Sequence, residues 1–83
     1  MKVLYFAWLR ERVGHGEENV SPPAEVRTLA DLAGWLATLS PGHAHAFENP
    51  NVVRAALDHR HAKPDASISG VREVAFFPPM TGG

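Results

Sequence analysis

The two ends of this chain carry the same kind of segment, and that restricts its fold more than anything else in it. Val3-Leu4-Tyr5-Phe6-Ala7-Trp8-Leu9 near the start and Glu73-Val74-Ala75-Phe76-Phe77 near the finish are short, rich in β-branched and aromatic residues, and apolar on both faces of an extended chain. A strand of that type belongs inside a sheet, covered on both sides or lying near an interface. Two of them at opposite ends are natural neighbours, so the chain is expected to bring its ends together in the middle of a mixed sheet. With 83 residues there is room for one domain and one modest core, and too little for a deep cleft with its own catalytic apparatus.

Between the two apolar runs the pattern alternates. Leu9 and Val13 sit one helical turn apart, and Gly14-His15-Gly16 stops that turn. Glu17 to Ser21 reads as a short polar strand, ended by Pro22-Pro23 because proline cannot donate to a sheet ladder. The clearest helix opens at Thr28, a good N-cap with Asp31 three residues on. Leu29, Leu32, Ala33 and Leu36 then form one apolar stripe, widened by Trp35 and Leu39. Ser40-Pro41-Gly42 reads as its stop. His43 to Asn51 reads as loop, with a helical turn around Ala44 to Phe47. Val52 to Leu57 reads as a third strand, Asp58-His59 as a turn, and Arg60 to Lys63 as a short return strand. The expected order is strand, strand, helix, strand, short strand, strand. That is an α+β fold with one main helix packed across a mixed sheet.

Composition excludes several functions. The chain has no cysteine, which removes disulfides, thiolate nucleophiles and cysteine-based zinc sites. Eight basic and nine acidic residues are spread along it, with no basic stripe to neutralise a phosphate backbone, so no nucleic-acid partner is expected. The apolar run Val3 to Leu9 is too short to span a bilayer and lacks the core and cleavage site of a secretory signal. The expectation is a soluble, cytoplasmic protein with no membrane partner.

Three groups of residues invite a functional reading. His43-x-His45 and His59-x-His61 each place two imidazoles on one face if they lie on a strand; exposed loop histidines are the expected outcome, and no metal site is assigned. Trp8, Trp35 and the Phe76-Phe77 pair are candidates for a binding surface, although the helix stripe favours core or core-edge packing for Trp35. Phe76 and Phe77 point to opposite sides of their strand, so at most one suits the core and the other needs a cover. The charged runs Glu17-Glu18 and Arg10-Glu11-Arg12 read as solvated surface. The sequence has no P-loop and no glycine-rich phosphate cradle.

The chemistry is expected in the last residues. Pro78-Pro79 ends the final strand abruptly and favours an extended exit. Residues 1–79 then form the domain and residues 80–83, Met80-Thr81-Gly82-Gly83, a flexible tail. Two glycines make a tail thin enough for a narrow channel, with an unhindered carboxylate at its tip. A carboxylate is a poor electrophile, but as an acyl-adenylate it is open to attack by sulfur or nitrogen.

Glu73-Val-Ala-Phe-Phe-Pro-Pro-Met-Thr-Gly-Gly83 resembles the C-terminal signature of the small-subunit family of molybdopterin synthase. Lys2-Val-Leu-Tyr-Phe-Ala-Trp-Leu-Arg-Glu-Arg-Val-Gly14 resembles that family's first strand and helical turn, and the helix at Thr28-Leu29 falls where the family has one. The sequence departs from the family at Gly70-Val71-Arg72-Glu73-Val74, where Gly-Asp-Glu-Val is usual, and at Asp58-His59, where an asparagine-containing turn is common. The resemblance implies a ubiquitin-like β-grasp fold with the terminal strands central and parallel. It implies a sulfur carrier that binds no cofactor. Gly83 is adenylated with ATP on a ubiquitin-activating-like adenylyltransferase and becomes a thiocarboxylate, with a sulfurtransferase as sulfur source. Thr81 and Gly82 thread the active site of the large subunit, and Phe76, Phe77, Pro78, Pro79 and Met80 lie at or near the docking surface. Sulfur then passes to cyclic pyranopterin monophosphate within a heterotetramer of two small and two large subunits. Carriers for thiamine thiazole or cysteine synthesis share the fold and the Gly-Gly end, and a ubiquitin-like protein modifier is an alternative of another class.

Overall fold

The computed structural model describes residues 1–79. Five strands form one sheet in the order β2-β1-β5-β3-β4, where β1 is Lys2–Tyr5, β2 Glu17–Asn19, β3 Arg54–Leu57, β4 Arg60–Ala62 and β5 Glu73–Phe77. β1 and β5 pair in parallel, with Val3 beside Val74 and Tyr5 beside Phe76. The outer pairs are antiparallel. The meeting of the two terminal strands, expected from their composition, is therefore the centre of the sheet.

The first apolar run does not stay extended to Leu9. It breaks at Ala7, whose φ of 54° ends the strand, and Trp8–Val13 form a helix, α1. The break turns Leu9 and Val13 into the core. Helix α2, Leu29–Leu36, has the expected capping box: the Thr28 hydroxyl accepts from Asp31 N, and the Asp31 carboxylate accepts from Thr28 N. Its stripe of Leu29, Leu32 and Leu36 is buried with Val3, Tyr5, Val74 and Phe76 of the sheet.

Ser40-Pro41-Gly42 does the opposite of stopping a helix. Ser40 caps a new one, α3, Pro41–Ala46, accepting from His43 N with Pro41 in the first turn, the position where proline's missing N–H is harmless. Gly42 is what lets α3 lie against α1: a Cβ there would sit 2.4 Å from the Arg12 carbonyl oxygen. The strand expected from Val52 begins later, at Arg54, because Pro50–Val52 form a 3-10 turn capped by Asn49.

One polar cluster ties the sheet edge to α3. Glu18 lies on β2 opposite Val3, so its carboxylate faces the core side. It accepts from Tyr5 Oη at 2.6 Å and lies 2.7 Å from His43 Nε2. Ser40 Oγ holds the other ring nitrogen of His43 at 2.7 Å. Burial raises the Glu18 carboxyl, but hydrogen bonds from His43, Tyr5 and His15 outweigh it, and the net position is below the ordinary carboxylate range. Burial, and then the Glu18 contact, pushes the Tyr5 phenol far up, so it stays a donor.

The wild type should exceed Glu18→Gln in stability by about 1–3 kcal/mol near neutral pH, the range for breaking a partly buried, charged hydrogen-bond set. The carboxyl titrates lower when folded than when unfolded. This margin is therefore fully present above the unfolded value of about 4.3 and is lost as pH falls through the folded one. Urea melts of both proteins at about pH 5 and about pH 3 check it; a margin unchanged at the lower pH would exclude the ionised carboxylate as its source.

Candidate functional site

The strand leading to the C-terminal segment is built to face two ways. Val74 and Phe76 are 0% and 1% exposed, while Glu73, Ala75 and Phe77 lie on the opposite face and are partly open. Alternation along an extended chain imposes this split. Phe76, expected near a docking surface, is instead a core residue. Its ring stacks on Tyr5 at 6.2 Å and meets the edge of Phe47 at 4.9 Å. Phe77 takes the outward position, with His61 edge-on at 5.4 Å.

Register assembles the rest of the outer face. Leu4, Ala75 and Ala56 stand side by side on β1, β5 and β3. The ladder runs on past β1, where Phe6 N donates to Phe76 O at 3.0 Å. Phe6 thereby comes alongside Phe77, and it is 48% exposed, the most open large apolar residue described. The helices place their buried residues on the other face of the sheet, with Val3, Val74 and Phe76. The result is an apolar strip rimmed by charge: the Lys2–Glu17 pair at 3.6 Å, Arg54, and the His59–Glu73 pair at 3.6 Å. Sequence reasoning did not single out Phe6 or Leu4. The signal was there, since both alternate with the buried Val3 and Tyr5.

β5 is aimed from its start. Asp58 and His59 both have positive φ, 47° and 72°, the conformation of a two-residue hairpin turn that twists with the strands. In that turn the Asp58 carboxylate accepts from Arg72 N at 3.1 Å and Glu73 N at 3.0 Å. Asp58 N donates to Glu73 O at 2.9 Å, and Lys2 N donates to Arg72 O at 2.9 Å. Both departures from the family pattern noted in the sequence thus meet at one junction. Pro78 and Pro79, both half-buried, follow Phe77 directly. Met80, Thr81, Gly82 and Gly83 lie outside the described residues.

Neither His-x-His pair becomes a ligand pair. His43 is 5% exposed and points into the Glu18 cluster, whereas His45 is exposed and faces Glu48 at 3.7 Å. The segment is a helix, on which residues two apart do not share a face. His59 lies in the hairpin turn and His61 on β4. The fold brings His43 instead to Glu18 and to His15, whose Nε2 is 3.3 Å from Glu18 Oε1. Ser40, His43 and Glu18 have the residue types of a nucleophile relay, but Ser40 Oγ is occupied as the α3 cap. A cavity of about 610 Å³ lies elsewhere, between α2 and β3 to β4. Trp35 packs at the core edge, as its stripe implied, and Trp8 lies under the Arg12 guanidinium at 4.5 Å.

Comparison with known proteins points to one family. The ThiS family model matches residues 3–83. The molybdopterin synthase sulfur carrier subunit of Escherichia coli (strain K12) is 37% identical over 83 residues, covering 100% of this chain and 99% of that one. The protein of the same name from Mycosarcoma maydis is 34% identical over 88 residues, covering 100% and 92%. Among solved structures, a putative molybdopterin converting factor, subunit 1, from Pyrococcus furiosus has a TM-score of 0.70 at 26% identity, covering 95% of each chain. SAMP1 from Haloferax volcanii also has a TM-score of 0.70, at 24% identity over 100% of this chain and 98% of that one, a likeness of fold alone.

The two-faced strand predicts unequal substitutions. Phe76→Ala should lower stability by about 3–5 kcal/mol, as expected for emptying a closed aromatic site, and Phe77→Ala by less than half as much. Urea denaturation of each variant measures the pair; equal losses would show that the outer face is as tightly packed as the core.

Proposed function

The chain belongs to the ThiS family, and from that premise we propose that it is the sulfur-carrier small subunit of a molybdopterin synthase. One observation carries the reading: the full-length match to proteins named molybdopterin synthase sulfur carrier subunit, with the family match running through Gly83. The proposed chemistry begins with attack of the Gly83 carboxylate on ATP, bound by a partner adenylyltransferase. Pyrophosphate leaves and an acyl-adenylate remains. A sulfur nucleophile supplied through a sulfurtransferase displaces AMP and leaves a thiocarboxylate. The loaded segment, with Thr81 and Gly82 as its slender stem, enters the large subunit and gives up sulfur to cyclic pyranopterin monophosphate. The partner supplies acid-base groups, so the chain is a donor subunit and not an enzyme by itself. We place this work in the cytoplasm, where ATP is at hand; among the described residues no helix is long and apolar enough to cross a membrane.

The outer sheet face suits the docking this requires. Phe6 and Phe77 offer aromatic anchors, Leu4 and Ala75 offer a flat apolar floor, and charges stand at the rim, the arrangement of a protein interface. Pro78 and Pro79 follow Phe77 directly, and Met80 comes next in sequence. The same face serves the large subunit and the adenylyltransferase in turn, within a complex of two small and two large subunits.

Chain lacking Gly83 should transfer no sulfur yet bind the large subunit within a few-fold of wild type. Wild type isolated from cells with active loading enzymes should gain one alkyl group at Gly83 on treatment with a thiol alkylator, since the chain has no cysteine. Absence of that adduct, together with higher-mass conjugates in the lysate, would favour a protein modifier. If the adduct forms but the chain co-purifies with a different acceptor, a thiazole or cysteine pathway is indicated.

Phe77→Asp should weaken binding to the large subunit by at least about tenfold, because docking would bury an unpaired charge. Unchanged affinity for both Phe77→Asp and Phe6→Asp, measured by calorimetry, would move the interface off this face.

A further inference from the structure

We propose that His15, Glu18 and His43 form a binding site for one divalent transition-metal ion of the zinc type, at the seam where β2 meets α3. The three residues come from separate elements. His15 lies in the turn after α1, Glu18 on β2, and His43 in the first turn of α3. One ligand atom from each lies within 4.8 Å of the others, with Glu18 Oε2 2.7 Å from His43 Nε2 and Oε1 3.3 Å from His15 Nε2. Zinc bonds of about 2.0–2.2 Å set tetrahedral ligand atoms about 3.3 Å apart; the Glu18–His15 distance meets that value, and the hydrogen-bonded Glu18–His43 pair has to open by about 0.6 Å to admit the ion.

The surroundings do what a metal site needs. Ser40 Oγ lies 2.7 Å from His43 Nδ1, which fixes the ring and leaves Nε2 toward the carboxylate. Tyr5 Oη donates to Glu18 Oε2 at 2.6 Å. Such outer partners orient ligands and tune their strength. His43 is buried, but the His15 side chain is 46% exposed, so the ion has an entry and solvent can fill a fourth position. Two imidazoles and one carboxylate give a set that favours zinc, nickel or copper over magnesium or calcium. Without an ion the same groups hydrogen-bond to one another, so the cluster is satisfied in both states. The site is independent of the carrier reading and lies on the other face of the sheet from Phe77.

The test is titration of chelator-stripped full-length protein with Zn²⁺ by calorimetry, with Co²⁺ absorption as the geometric readout. Wild type should take one ion per chain and show the visible bands of four-coordinate cobalt. His15→Ala, at a partly open turn position that spares the core, should lose at least about tenfold in affinity and lose those bands. The double variant His59→Ala/His61→Ala should bind as wild type does. The proposal is overturned by wild-type affinity weaker than about 1 mM, by His15→Ala binding unchanged, or by loss of binding in the His59→Ala/His61→Ala protein.

Discussion

The fold depends on β5 pairing on both sides. β1 and β2 form one antiparallel pair and β3 and β4 another, and β5 alone joins them. Its parallel bond to β1 links residues from the two ends of the sequence, so nothing local closes the sheet. Long-range pairing of this kind is slow to form, because loop entropy is spent before the contact returns anything. Once closed, Val74 and Phe76 complete the core beneath α2 while Phe77 is set on the other face. The strand that finishes the fold is also the one that precedes the C-terminal segment in sequence.

Much of this was legible from residue types. Apolar runs at both ends gave the central pair, Thr28 and Asp31 gave the start of α2, and the adjacency of Phe76 and Phe77 gave the split between core and surface. Local rules failed where two of them competed for the same residues. Ser40-Pro41-Gly42 satisfies the description of a helix stop, yet serine before proline is equally a helix start, and close approach to α1 explains the glycine without any stop. The run to Leu9 was too long because a non-glycine residue at positive φ, Ala7, leaves no mark in hydrophobic periodicity.

The functional site was legible in its chemistry and less so in its geometry. The carrier reading drawn from Pro78-Pro79 and Gly82-Gly83 agrees with the family to which the chain belongs. The outer apolar face proposed for docking needed register, since only the strand pairing sets Phe6 beside Phe77 and Leu4 beside Ala75. The histidines show the limit most plainly. Spacing drew attention to His43 with His45, but His43 finds its partner 25 residues away in Glu18. No short pattern reports a contact between a strand and a helix that distant in sequence.

The approach of α3 to α1 has a consequence for how this chain tolerates change. Position 42 has no side chain and buries no apolar group, so a survey by hydrophobicity would rank it among the freely variable sites. The Arg12 carbonyl oxygen stands only 2.4 Å from where any Cβ would go, and backbone yields less readily than a side chain. In a saturation library, residue 42 should therefore read like a core leucine: twenty codes entered, one retained, with selection acting on an empty space.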